Sequence, residues 1–147
     1  MAGLKLLVVS TPMGPLGQGL GGGVELTLEA VLESLHRRGH VVSLVAAEGS
    51  QLPSTPLQQS WLEPGVPQPS WQHQPRQAPV QVPADGLLPR FWQRALAEQQ
   101  HFDAVLNLGY DWLPLWLTPQ FQTPLCHLVS MGSVGEAMRS EEHTSEL

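Results

Sequence analysis

The stretch that decides the fold is residues 4–46, LKLLVVSTPMGPLGQGLGGGVELTLEAVLESLHRRGHVVSLVA. It opens on a short continuous apolar run, Leu4 to Ser10, closed by Thr11-Pro12. A run of that length and composition reads as a strand buried on both faces. Pro12 to Gly23 reads as loop, with six glycines between positions 14 and 23. From there Val24, Leu28, Val31, Leu32 and Leu35 recur at helical spacing, while Glu25, Glu29 and Glu33 lie on another face. Arg37, Arg38 and His40 gather around Gly39, where cations suit the helix dipole and a glycine ends the helix. Val41 to Ala46 is a second apolar strand. A strand, loop, helix and strand in this order imply a parallel pair with a right-handed crossover.

Working outward, the N-terminal MAGLKLLVVS carries one lysine and turns directly into the strand, so it does not read as a secretory signal. Downstream, residues 51–85 hold eight Pro and eight Gln. Such a composition buries little and Pro interrupts any ladder. The expectation is a long loop or insertion over the surface, an active-site flap or a weakly constrained excursion, with a short edge strand at Val80 to Val82. Asp85 is expected to cap a second helix through Gln100, with Leu88, Phe91, Trp92, Ala95 and Leu96 facing inward. Ala104 to Leu108 reads as a strand, followed by Gly109-Tyr110-Asp111-Trp112 and a short apolar helix cut by Pro114. Leu125 to Ser130 reads as another strand, and Met131 to Val134 as the opening of a further helix. This alternation predicts an α/β fold, a Rossmann-like doubly wound parallel sheet.

The last nine residues, RSEEHTSEL from Arg139 to Leu147, show no apolar periodicity and read like the translation of a sequencing adapter. They are expected to be a non-native tail on an incomplete domain of residues 1–138.

Composition narrows the function classes. Seven Lys and Arg against a net charge of -6 cannot build a phosphate-tracking face, which argues against nucleic acid. The single Cys126 excludes an intramolecular disulfide and suits a cytoplasmic location. No apolar run approaches the roughly 20 residues of a membrane span. The histidines and the lone cysteine show no metal-ligand spacing.

In doubly wound sheets ligands sit beyond the carboxyl ends of the strands. Three loops are therefore candidates: Thr11 to Gly23, Gly109 to Trp112, and Ser130 to Ser133. The first formally contains G-x-G-x-x-G at Gly17 to Gly22, and Glu48 stands near the end of the second strand, where a dinucleotide fold places a ribose-binding acid. An NAD-binding oxidoreductase domain is thus one rival. Against it, Thr11 to Leu16, with two prolines, separate the strand from the first glycine. No Lys-Ser or Lys-Thr follows the glycines, which excludes a P-loop. A non-catalytic flavodoxin-like binding module is the other rival.

Gly22-Gly23-Val24-Glu25 is followed by Leu35-His36-Arg37-Arg38-Gly39-His40-Val41-Val42, Phe102-Asp103-Ala104-Val105-Leu106, Asp111-Trp112-Leu113-Pro114 and Thr123-Pro124-Leu125. In that order these resemble the N-terminal half of the GT-B glycosyltransferases, in their large retaining, nucleotide-sugar-dependent class. Val9 to Gly17, Gly21 to Leu28, Asn107, Tyr110 to Pro114 and His127 to Ser133 are similar to the branch that moves glucose from UDP-glucose onto a reduced pterin, tetrahydrobiopterin. The resemblance implies an acceptor-side domain, UDP-glucose as donor substrate, no tightly bound cofactor, and a missing C-terminal domain that holds most of the donor. It implies that this chain alone is inactive. It further implies that the backbone of Gly21, Gly22 and Gly23 faces the donor diphosphate. Tyr110, Asp111, Trp112, Ser130, Met131 and Ser133 would line the acceptor pocket, the aromatics stacking and Asp111 accepting from pterin N–H groups. Trp112 and Trp116 equally suit core packing, and His127 reads as a packed core histidine. Many relatives carry a histidine where Ser130 stands, so no catalytic histidine is assigned; Asp111 and Glu25 are general-base candidates by location alone.

Overall fold

The computed structural model describes residues 3–18, 23–69, 79, 82–109 and 111–128. Its strands are β1 (Lys5–Val9), β2 (Val41–Ala47), β3 (Gln59–Glu63), β4 (Ala104–Asn107) and β5 (Leu125–His127). Its helices are α1 (Gly23–Arg37), α2 (Leu87–Glu98) and α3 (Trp112–Leu117), with 3-10 turns at Gln99–His101 and Thr118–Gln120. The sheet runs β3-β2-β1-β4-β5. Every pairing is parallel. This is the α/β, Rossmann-like sheet that the apolar runs predicted.

Strands buried on both faces explain why those runs are continuous instead of alternating. Leu7 and Val9 of β1, Val45 of β2 and Val105 of β4 face α2, whose Leu88, Phe91, Trp92 and Ala95 complete that core. Leu6 and Val8, with Val42, Leu44 and Ala46, point the other way, onto Leu28 and Leu32 of α1. The Arg-Gly-His turn has a clear local cause. Gly39 has φ 89, the left-handed region that favours glycine at a helix C-terminus. The His40 N–H then donates to Leu35 O, and the His40 ring accepts from the Leu4 N–H at 3.0 Å, tying the helix exit to the start of β1.

Four local expectations need correction or fall partly outside the described residues. The Pro/Gln-rich segment is not loop throughout: β3 lies within it, pairing Ser43 with Gln59 through Ala47 with Glu63. Leu57 to Glu63 is its proline-free window, and an edge strand needs a ladder on one side only. Tertiary contacts supply the rest. Trp61 meets Phe102 edge-on at 6.2 Å, and Arg94 of α2 pairs with Glu63 at 2.7 Å. Of the edge strand expected at Val80 to Val82, Val80 and Gln81 lie outside the described residues and Val82 is not in a strand. The cap of α2 is Gly86, not Asp85, and no side chain bonds to that end. Finally, Pro114 does not cut α3. With Asp111 as N-cap it occupies the third helical position, where a backbone N–H has no partner inside the helix.

Candidate functional site

β1 lies between β2 and β4, and the chain leaves β1 and β4 towards opposite faces of the sheet. α1 joins the core on one side, while Leu113 and Leu117 of α3 join the other. Such a divergence marks a switch point at the carboxyl ends of the strands, the place where doubly wound sheets bind ligands. The loop after β1 brings Ser10, Thr11 and Pro12 to it, and the turn after β4 brings Gly109 and Asp111. The two meet at Gly109. A Cβ added there would stand 3.4 Å from Asn107 Oδ1 and 3.5 Å from both Asp111 Oδ2 and Pro12 Cδ.

Asp111 is the chemically unusual group. It is 3% exposed, and its Oδ2 has no hydrogen-bond partner; Thr11 Oγ1, at the head of β1, is also buried and unpartnered. Burial pushes the Asp111 carboxyl from 3.8 up to about 7. The local sequence explains its isolation. An N-cap aspartate ordinarily accepts from the N–H of the second or third helical residue. Here the third is Pro114, which has no N–H, so only Leu113 could serve, and Asp111 makes no side-chain cap bond to it.

A chain of hydrogen bonds holds the turn that carries this carboxyl. The Gly109 N–H donates to Asn107 Oδ1 at 2.9 Å. Asn107 Nδ2 lies 3.0 Å from His127 Nδ1, and His127 Nε2 lies 2.8 Å from Thr118 Oγ1. Thr118 Oγ1 donates to Pro114 O at 3.1 Å. His127 is therefore half-buried and bonded through both ring nitrogens, with its pKa lowered by burial.

On the other wall, the loop after β1 is tied to the loop after β2. The Leu16 N–H donates to Ser50 Oγ and Leu16 O accepts from the Gln51 N–H. The Gly17 N–H donates to Glu25 Oε1 at 2.6 Å, so Glu25, a general-base candidate by position, ties the glycine loop to the first turn of α1. Its charge also lies at the positive end of that helix. Gly23 opens α1, and a Cβ there would meet nothing within 4 Å. The proline-rich segment reaches the loop after β1 as well, through the Gln68 N–H donating to Pro12 O. Glu48 and Glu63 line a cavity of about 210 Å³ over the carboxyl ends of β2 and β3, with Pro15 as part of its wall.

Of the nine expected site residues, Gly23 and Asp111 are described, one on each wall. Trp112 opens α3, but its side chain lies outside the described residues, as do Gly21, Gly22, Tyr110, Ser130, Met131 and Ser133. Trp116 is 52% exposed, so core packing does not account for it. Thr118 and the positioning part of Asn107 were not anticipated, and Thr11 was named only as the start of a candidate loop. Asn107 had a readable signal: an Asn two residues before a Gly at the end of an apolar run commonly bonds the backbone two residues on. Among the described residues, no group of three or more His, Cys, Asp or Glu could hold a metal ion, and no helix is long and apolar enough to cross a membrane. No protein-family model matches the chain, and no curated protein matches it significantly.

Proposed function

We propose that the crevice at the heads of β1 and β4 is the acceptor side of a nucleotide-sugar-dependent glycosyltransferase of GT-B architecture. UDP-glucose is the donor in this reading, and a small reduced pterin is the acceptor. Asp111 carries it. A buried carboxyl left without a partner costs stability, and a ligand that supplies N–H donors repays that cost. A reduced pterin offers an amino group beside a ring N–H, which a carboxylate can bind in two-pronged fashion. On the donor side, the space around Gly23 and the start of α1 suit a diphosphate, with Glu25 limiting how much negative charge that end attracts.

The dinucleotide-domain reading draws on one observation, the cavity beside Glu48. Two features favour the glycosyltransferase reading over it. Thr11 to Leu16 intervene before Gly17, the first glycine of the motif, and Leu16 is buried in the α1-side core, so the loop stands away from β1 instead of turning tightly off it.

Calorimetric titration under reducing conditions tests the proposal. Tetrahydrobiopterin should bind this chain saturably, and Asp111→Asn should weaken it at least about tenfold, the loss of a charge-assisted pair. UDP-glucose should bind weakly, and this chain alone should transfer no glucose, because the donor is held mainly by a second domain in this architecture. Saturable NADH binding with no pterin binding would overturn the reading in favour of the dinucleotide domain.

A further inference from the structure

We infer that His127, held as its neutral Nε2–H tautomer, is a positioning residue that fixes the turn carrying Asp111 through Asn107. The inference rests on Asp111 being a ligand contact, but its geometry stands on its own bonds.

The hydrogen bonds can be read in one direction only. The Gly109 N–H is a donor, so the Asn107 atom facing it is the oxygen. Asn107 therefore turns its NH2 towards His127, and Nδ1 of the ring must accept. A neutral imidazole that accepts at Nδ1 carries its proton on Nε2, which donates to Thr118 Oγ1. The threonine hydroxyl passes its own hydrogen to Pro114 O. Each donor meets one acceptor, from the first turn of α3, through β5, to the head of β4. The backbone adds a parallel tie, the Leu128 N–H donating to Asn107 O at 2.9 Å.

Both ends of this chain border Asp111. Gly109 lies two residues before it and Pro114 three residues after, so the ring spans the turn like a brace. Protonating Nδ1 would set two donors face to face at 3.0 Å and break the brace at Asn107. Among the described residues, the elements around the ring bear no charged side chain: β4, α3 and the 3-10 turn carry none, and β5 adds only Cys126, which is exposed. Asp111 itself is the one acid of the braced turn. Burial alone lowers the ring's pKa, so the neutral tautomer holds at neutral pH and is lost on acidification.

Nitrogen NMR of the imidazole in the wild-type chain tests this first. At pH 7 the ring should show a bare Nδ1 and a protonated Nε2, and the Gly109 amide should shift with the ring's titration on acidification. A protonated Nδ1 at neutral pH, or a Gly109 amide indifferent to that titration, would overturn the inference without any variant. Two variants then separate positioning from packing. His127→Phe keeps a flat ring but has no acceptor. It should move both the Gly109 amide and the Asp111 carboxyl titration, and weaken tetrahydrobiopterin binding about tenfold, the loss of a connecting hydrogen bond. His127→Asn keeps an acceptor on the Nδ1 side and should restore part of both. An unchanged Asp111 titration in His127→Phe would sink the idea. If the tautomer and the Asp111 response appear but no pterin binds to any form, the proposed function fails and the positioning role stands.

Discussion

At the scale of single residues, Asp111 makes stability depend on pH in an unusual sense. Its carboxyl keeps a proton up to about pH 7 in the fold, against 3.8 for an ordinary aspartate. Between those values the folded state binds more protons than the unfolded chain, so stability falls as pH rises through the window, and the full cost is present above it. At ~1.4 kcal/mol per pH unit, that cost is on the order of 4 kcal/mol. Asp111→Asn removes the charge while keeping the shape. Urea denaturation should show the variant more stable than wild type at pH 8, by up to roughly 4 kcal/mol less what burying the amide costs. Near pH 4 the two should nearly coincide. A gain that does not depend on pH would mean that Asp111 is not carrying a buried charge. That this aspartate stands just past the end of a strand was legible in the sequence; that it lacks a partner was not, because burial depends on what packs over it.

At the scale of elements, α3 shows how one proline sets the chemistry of the turn before it. Pro114 costs α3 no internal bond, yet it removes one of the two N–H groups, those of the second and third helical residues, that usually satisfy a capping carboxylate. Pro114→Ala should restore that donor. The Asp111 pKa should then fall, thermal unfolding at pH 8 should show about 1 kcal/mol of added stability, and pterin affinity should drop because the carboxyl is already engaged. Stabilisation without a change in Asp111 titration would separate the helix effect from the site. The strand β3 teaches the converse. Its residues carry a weak strand signal inside a segment rich in Pro and Gln, and the segment as a whole reads as loop. The strand forms because β2 offers an open edge, Trp61 finds Phe102, and Glu63 finds Arg94. None of these partners lies nearby in sequence, so no local window contains the cause.

At the scale of the whole molecule, the sheet divides the interior into two cores, and the α2 side bears the larger rings. Trp92 is 1% exposed and packs edge-on against Phe121 at 5.9 Å. Trp92→Ala should cost about 3–5 kcal/mol, a large part of the roughly 5–15 kcal/mol that holds a domain together. Trp116→Ala, at a position 52% exposed, should cost far less. Chemical denaturation of the two variants checks the contrast, and equal costs would contradict the division. β5 is joined to the same side through Gln99, whose side-chain oxygen accepts from the Gln122 and Thr123 N–H groups at 2.8 and 3.1 Å. That clamp holds β5 where His127 meets Asn107, whose side chain holds Gly109, two residues before Asp111.

Local sequence was enough to specify the first strand, α1 with its Gly39 stop, the second strand and, from their alternation, the parallel α/β sheet. These follow from periodicity and backbone preference, which belong to consecutive residues and survive without knowledge of the neighbours. Only the tertiary structure decided that β3 joins the edge, that Glu25 binds the glycine loop, that His127 braces Asn107, and that Asp111 is left alone. Hydrogen-bond pairing and desolvation are properties of elements standing side by side, and residues as distant as Asn107 and His127 become partners only once the sheet has assembled.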